Sequence, residues 1–285
     1  MSNPRGAFLI ARNNSQVDYV KQAVFLAKRI KKYLGLPTSV LTDSVDYLKN
    51  NFDEKIFDRI IPLDYAHQPN ERLYFDGALY QKSAPFNNRS RCQVYDLTPY
   101  DETLLLDTDY IISNSLLKKC FDSTDDFLIY KDSIDIAQVR DQHEFKYISD
   151  TSVQFYWATC VFFRKSETNK IYFDLLQHIE AEWDHYRRVY QIKSNLFRND
   201  FAFSIGIHIM NGFCNGSFAK DMPGKMMYTT DKDILWKLDD DKMMFLVEKE
   251  KYLGEYTTLS TNGLNIHVMN KFSLGREIDK VLDNG

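Results

Sequence analysis

Thr103-Leu104-Leu105-Leu106-Asp107-Thr108-Asp109-Tyr110-Ile111-Ile112 decides how the rest of the chain is read. Three leucines run straight into two carboxylates spaced two apart. A short apolar run bounded by polar residues predicts a buried strand. The acids then sit where that strand leaves the core. A lone acid there only caps a helix or opens a turn. Two acids flanking Thr108 offer several oxygens to one hard cation, and such a cation can hold a diphosphate.

Upstream, the same alternation of apolar runs and punctuation recurs. Ala7 to Ala11 predicts a first strand, followed by Asn13, Asn14 and Ser15. Val20, Ala23, Val24, Ala27, Ile30 and Leu34 recur at helical spacing, and Gly35 and Pro37 end that helix. Thr38 to Leu41 predicts a second strand, Ser44 to Phe52 a short helix and Phe57 to Leu63 a third strand. Strand and helix in alternation predict a parallel sheet covered by helices. Residues 64–87, with Pro69, Gly77 and Pro85, read as a long loop or lid, and Asn88 to Leu97 as a short helix. In a right-handed, doubly wound sheet the first strand and the Asp107 strand lie side by side at a switch point. Arg12, Asn13, Asp43, Asp107 and Asp109 then face one crevice.

Downstream the pattern changes. Phe127 to Tyr130 and Gln154 to Phe163 predict strands, Asn169 to Tyr190 one long helix, and Asn199 to Met210 a shorter one ended by Gly212. Residues 213–242 read as loop-rich, and Phe245 to Lys249 and Asn265 to Met269 as closing strands. No linker or repeat interrupts the chain. The expectation is one α/β domain over 1–285, with lobes at 1–112 and 113–285.

The bulk properties narrow the function classes. A net charge of −4 disfavours a dedicated nucleic-acid binder. Cys92, Cys120, Cys160 and Cys214 form no C-x-x-C pair, which fits a reducing compartment and argues against structural zinc. The N-terminal apolar run is too short for a signal peptide or membrane anchor, so a soluble cytoplasmic protein is expected. Lys28, Arg29, Lys31 and Lys32 read as a solvated helix face, His178 and His185 as surface residues, and Asp239-Asp240-Asp241 as a solvated turn.

TLLLDTDYII (103–112), YWATCVFF (156–163), FRNDFAFS (197–204) and NIHVMNK (265–271) together resemble the nucleotide-sugar-dependent glycosyltransferases of the GT-A fold, closest to the glycogenin-like group. The resemblance implies a Rossmann-like domain with a mixed central sheet. Its N-terminal half would bind the nucleotide and its C-terminal half the acceptor. It also implies a UDP-sugar donor and manganese, with magnesium as the other candidate. Asp107 and Asp109 match the family's D-x-D motif and His267 its late metal-binding histidine. On a strand, His267 and Met269 share the face opposite Ile266 and Val268. A neutral imidazole beside two carboxylates suits a divalent transition metal. After His267 the family's glycine is replaced by Asn270, and Lys271 follows at once. Lys271 or Arg276 would neutralise the departing diphosphate.

By the same resemblance Ala11, Arg12, Asn13 and Asp43 hold the nucleoside, Thr108 lies between the metal acids, and Arg89 or Arg91 supplies a cation near the sugar and phosphates. Trp157 is either a sugar-stacking ring or a core ring. Asp200 accepts a donor-sugar hydroxyl, assists the acceptor hydroxyl as a base, or caps the helix. The acceptor stays open among saccharide, protein, lipid head group and modified base. Two rivals remain. A nucleotidyltransferase would carry a glycine-rich phosphate loop where this chain has Arg12-Asn13-Asn14-Ser15. A non-catalytic protein on the same fold would lack metal-dependent nucleotide binding.

Overall fold

The computed structural model describes residues 4–63, 70–86, 89–138, 140, 145–150, 153–249 and 254–283. The alternating start comprises β1 (Arg5–Ala11), α1 (Tyr19–Arg29), β2 (Thr38–Thr42), α2 (Val45–Asn51) and β3 (Arg59–Pro62). A hairpin follows, β4 (Asn70–Phe75) and β5 (Gln81–Phe86), then α3 (Val94–Leu97), β6 (Glu102–Leu106) and β7 (Tyr110–Ile111). Next come β8 (Phe127–Tyr130), β9 (Ser133–Asp135), β10 (Trp157–Arg164), α4 (Glu167–Ala181), α5 (Trp183–Val189) and α6 (Asn199–Met210). The chain continues through β11 (Lys220–Asp221), β12 (Met226–Thr229), β13 (Ile234–Asp239), β14 (Lys242–Glu248), β15 (Tyr256–Asn262), β16 (Ile266–Val268) and α7 (Lys271–Asp283).

The central sheet has the order β11-β8-β10-β6-β1-β2-β3. It is mixed, because β10 runs antiparallel to both its neighbours while β6, β1, β2 and β3 run parallel. The α/β class and the mixed central sheet agree with expectation. So does the switch point: β1 pairs β2 on one side and β6 on the other, with Leu9 opposite Leu106. Leu104, Leu105 and Leu106 are fully buried, the state of a strand covered on both faces. Cutting one back to alanine costs about 2–5 kcal/mol. Gly6 at the start of β1 lies under the Tyr100 ring, where a Cβ would collide with it. Tyr100 in turn bonds Ser39 on β2 at 2.8 Å.

A second sheet, β7-β16-β12-β9, completes the site. Its ladder sets His267 opposite Tyr110, the residue after Asp109. The Val268 N–H donates to the Asp109 carbonyl at 3.0 Å. Behind it, Ile266, Val268, Leu274 and Ile278 pack with Leu235 and Phe245 in a smaller apolar cluster. α7 lies against β13.

Four expectations are corrected. Where a long loop was read, residues 70–86 form the β4–β5 hairpin, while 64–69, 87 and 88 lie outside the described residues. Pro85 is accommodated because the hairpin is an isolated two-stranded ribbon whose outer positions need no ladder N–H. The long helix breaks at Glu182, which leaves the α-region at φ −101°, ψ 32° and separates α4 from α5. Residues 213–242 contain β11, β12 and β13 rather than loop alone. Of the basic cluster only Lys28, Lys31 and Lys32 are exposed. Arg29 is buried, with its guanidinium donating to Ser113 Oγ and the Asp240 carbonyl at 2.8 Å each.

Candidate functional site

A cavity of about 600 Å³ opens beyond the ends of β1 and β6. Its floor is the polar segment that follows Leu106. The ladder ends there because the Asp107 N–H bonds the Thr159 carbonyl at 2.8 Å and the Tyr110 N–H turns back to the Asp107 carbonyl at 3.2 Å. Asp107, Thr108 and Asp109 all line the cavity. Thr108 Oγ1 donates to Gln22 Oε1 of α1 at 3.2 Å, which fixes the turn between the two acids.

The two carboxylates have different surroundings. Asp107 Oδ1 meets Arg91 NH1 at 2.6 Å. Burial raises the Asp107 pKa above the usual carboxylate range, against the pull of Arg91. Asp109 Oδ2 meets His267 Nε2 at 3.1 Å and also pairs with Lys271 Nζ. Burial alone would push Asp109 up. Lys271 and His267 outweigh it and hold the carboxyl well below its ordinary value.

Ligand atoms of Asp107, Asp109 and His267 lie within 4.8 Å of one another. Two carboxylate oxygens and an imidazole nitrogen form a donor set suited to a divalent first-row metal. The residues therefore fit such an ion. His267 Nδ1 is buried and has no hydrogen-bond partner among the described residues. The ring is instead held by Asp109 and by the edge-on Trp157 ring, 6.0 Å between centroids.

The remaining expected residues divide into two groups. Arg12, Trp157 and Asp200 line the same cavity, as does Lys271. Arg12 Nε pairs with Asp43 Oδ2 at 2.9 Å, so Asp43 reaches the cavity wall through Arg12. Trp157 is buried against Phe145 and Tyr228, with rings 4.7 and 5.1 Å apart, so its core and cavity roles coincide. Both Asp200 oxygens are engaged: Oδ1 accepts from the Ala158 N–H at 3.0 Å and Oδ2 pairs with Arg198 at 3.1 Å.

Ala11, Asn13, Arg89 and Arg276 do not line the cavity. Ala11 is a buried end of β1. Asn13 Oδ1 accepts from the Val20 N–H at 2.9 Å and its amide bonds Asp18, the N-cap of α1. Arg89 points away, over the Phe197 ring at 5.9 Å, and Arg91 takes the cavity position. Arg276 makes a two-pronged pair with Asp76 at 2.6 and 2.8 Å, tying α7 to the β4–β5 hairpin.

Several cavity residues escaped the sequence reading: Arg72, Arg140, Arg198, Asp231, Lys232 and Glu248. Arg140 donates at 2.6–2.7 Å to both Asp135 and Asp233, a buried triad behind the cavity wall. The usable signal was the Asp-Lys-Asp run at 231–233 immediately before a strand, which mirrors the Asp-Thr-Asp run at 107–109.

No protein-family model matches the chain, and no curated protein matches it. Among solved structures it is similar to the glycosyltransferase GlyE of Streptococcus pneumoniae TIGR4, at 12% identity over 77% of this chain and 45% of that one, TM-score 0.41. The chain thus spans less than half of GlyE. It is also similar to the galactosyltransferase LgtC in complex with donor and acceptor sugar analogs, at 12% identity over 71% and 70%, TM-score 0.44. A third is the bifunctional IspDF from Campylobacter jejuni, at 11% identity over 78% and 50%, TM-score 0.39.

Proposed function

We propose that the chain is a metal-dependent glycosyltransferase that moves a sugar from a nucleotide diphosphate sugar, with UDP the preferred carrier, to an acceptor hydroxyl. One observation carries this reading. Asp107, Asp109 and His267, the last distant in sequence from the other two, converge on the floor of a cavity ringed by cationic side chains. The sequence resemblance agrees with it. Asp107, Asp109 and His267 would hold a divalent ion, with manganese preferred. When bound, that ion supplies charge stabilisation for a diphosphate.

This chain's own residues do the rest. Arg12, fixed by Asp43, faces the nucleoside end of the cavity. Arg91 pairs with Asp107 and opposes the rise that burial gives its pKa. Lys271, which faces Asp109, lies where it can also face the leaving diphosphate. In the transfer, the acceptor oxygen forms a bond to the anomeric carbon and gives up its proton, which leaves with the departing diphosphate. The bond from that carbon to the diphosphate oxygen breaks, and the electron pair leaves with the diphosphate. Asp200 positions Ala158 and Arg198 on the acceptor side. We read 1–112 as the nucleotide-binding lobe and 113–285 as the lobe that completes the metal site and takes the acceptor. No helix among the described residues is long and apolar enough to cross a membrane, and a cytoplasmic setting is our reading.

A glycine-rich phosphate loop is absent after β1, and the segment is instead rigidified by Asn13 and Asn14 bonding to the backbone of Val20, Gln16 and Val17. That speaks against nucleotidyl transfer. The test is calorimetric titration of UDP and GDP with Mn²⁺ and with EDTA, on the native chain and on Asp109→Ala. UDP binding that needs Mn²⁺ and is lost in the variant supports the reading. No binding of either nucleotide under any condition overturns it.

A further inference from the structure

Five arginines and two lysines line the cavity. Arg12, Arg91, Arg140, Arg198 and Lys271 are each answered by a carboxylate described above. Arg72 and Lys232 differ: no carboxylate lies within ion-pair distance of either among the described residues. Their donors therefore face the cavity uncommitted to a carboxylate, as donors for an anionic ligand would.

Arg72 is also held in place. Its guanidinium lies over the Phe86 ring at 4.9 Å from the centroid and the Tyr74 ring at 5.5 Å. Stacking on ring faces fixes the plane of the fork and leaves its edge N–H donors free. The Tyr74 hydroxyl meets Tyr19 at 3.1 Å, and Tyr19 itself lines the cavity. Arg72 therefore has a defined direction rather than a floppy surface one.

The hairpin that carries Arg72 is fastened to the helix that carries Lys271. Tyr74 and Tyr80 both pack edge-on against Phe272, at 6.3 and 6.1 Å. Asp76 and Arg276 close the outer side. Asp231 lines the same cavity, and its carboxyl is pushed up by burial while Arg72, Lys271 and Lys232 oppose that rise. The three cations thus all act on Asp231 within one cavity. Asp231 is the one acid in that group, and an anion placed there would meet it too.

We propose that Arg72, with Lys232 of the same cavity, is a phosphoryl-binding element of this site, which grips the diphosphate of the donor. The proposal rests on the nucleotide-sugar reading above. Arg72 is the specificity element: a planar fork suits two oxygens of one phosphoryl group, whereas Lys232 contributes charge.

The experiment titrates uridine, UMP and UDP, each with Mn²⁺, into the native chain and into Arg72→Ala, Arg72→Lys and Lys232→Ala, with a thermal melt of every variant. We expect Arg72→Ala to melt like the native chain and to bind UDP about 10- to 100-fold more weakly. Uridine affinity should stay within about twofold, and Arg72→Lys should recover part of the loss. A UDP affinity unchanged by Arg72→Ala, in a native chain that does bind UDP with Mn²⁺, overturns the proposal and leaves the function reading standing. Failure of the native chain to bind UDP overturns the function reading, and this proposal with it. A third arm titrates inorganic phosphate into the UDP-saturated native chain and Arg72→Ala. If phosphate still binds the native complex, and Arg72→Ala loses that binding while keeping its UDP affinity, the phosphoryl group belongs to the acceptor and the donor assignment is overturned.

Discussion

The cavity has two walls of opposite character. One is the row of strand ends, Arg12 (backed by Asp43), Asp107, Thr108 and Asp109, where the chain emerges from a buried parallel sheet. The other is assembled from β4, the segment before β13, the start of α6 and Arg140, elements scattered from residue 72 to residue 233. The first wall is rigid because Leu104 to Leu106 anchor it in the core. The second is held largely by charge, through the Asp135–Arg140–Asp233 triad and the Arg198–Asp200 pair. The difference separates two kinds of dependence: the first wall carries the proposed ligand residues on an apolar scaffold, whereas the second carries much of its own stability in polar contacts.

Breaking the first wall gives the largest effect. Asp109→Ala should cut sugar transfer about 10³-fold or more, and its melting temperature should also fall, because the buried Lys271 and His267 lose their shared carboxylate. Steady-state kinetics with a UDP-sugar hydrolysis readout, paired with a melt, checks both halves.

Breaking the second wall should act on stability first. Arg140→Met leaves Asp135 and Asp233 facing each other without their cation, a loss of about 3–5 kcal/mol. The melt should fall by about 10 °C. An Arg140→Met protein that melts normally yet has lost activity would place Arg140 with the ligand-binding residues and erase the contrast.

A third test uses two arginines on one turn. Arg91 enters the cavity, while Arg89 lies near the Glu180 carboxyl, which burial pushes up to about 7, with Cys92 and Arg89 pulling the other way. The folded chain therefore holds the Glu180 proton more tightly than the unfolded chain, whose value is about 4.3. Its stabilising effect is full below about pH 4.3 and is lost as pH rises through about 7. Glu180→Gln should melt like the native chain at pH 4.5 and be more stable at pH 8, by at most about 3–4 kcal/mol. Activity should not change, because the turn's cavity side is Arg91 alone.

The smallest effect is expected at Asp200. Asp200→Asn keeps an oxygen for the Ala158 N–H and weakens the pair with Arg198. We expect kcat to fall less than about tenfold, since a general base would be worth about 10² or more. A larger fall with an unchanged melt would move Asp200 from a supporting to a reacting role.

How much of this was legible follows the same division. β1, β2 and β6 announce themselves as short apolar runs between turn residues, so the switch point and the Asp107–Asp109 floor could be placed from residue order. His267 was legible from strand periodicity, because its neighbours Ile266 and Val268 are apolar. The β4–β5 hairpin was not: Pro69, Gly77 and Pro85 read as loop, and an isolated ribbon needs no apolar alternation on its outer face. Arg72 was hidden with it. β12 and β13 were lost among charges, since their pairing partners are far away in sequence and only tertiary contact defines them. Arg89 and Arg91 could not be told apart, because which of two residues on a tight turn faces inward depends on packing against α4 and α6. Asn13, Ala11 and Arg276 sit near the expected places but spend their polar atoms or bulk on the scaffold.

The rung that joins β7 to β16 has a further consequence, one of timing. His267 is 158 residues from Asp109, yet the two donors are set by adjacent backbone pairs. The cost of closing so long a loop must be met before any of that contact is gained. A chain lacking its last segment could complete β1, β2 and β6 and still present only two acids to a cation. Affinity for a divalent ion and a nucleotide should therefore emerge late and together in folding. Whatever ligand the finished site takes would then act as a latch on a completed molecule, stabilising it by mass action and leaving partly folded chains unrewarded.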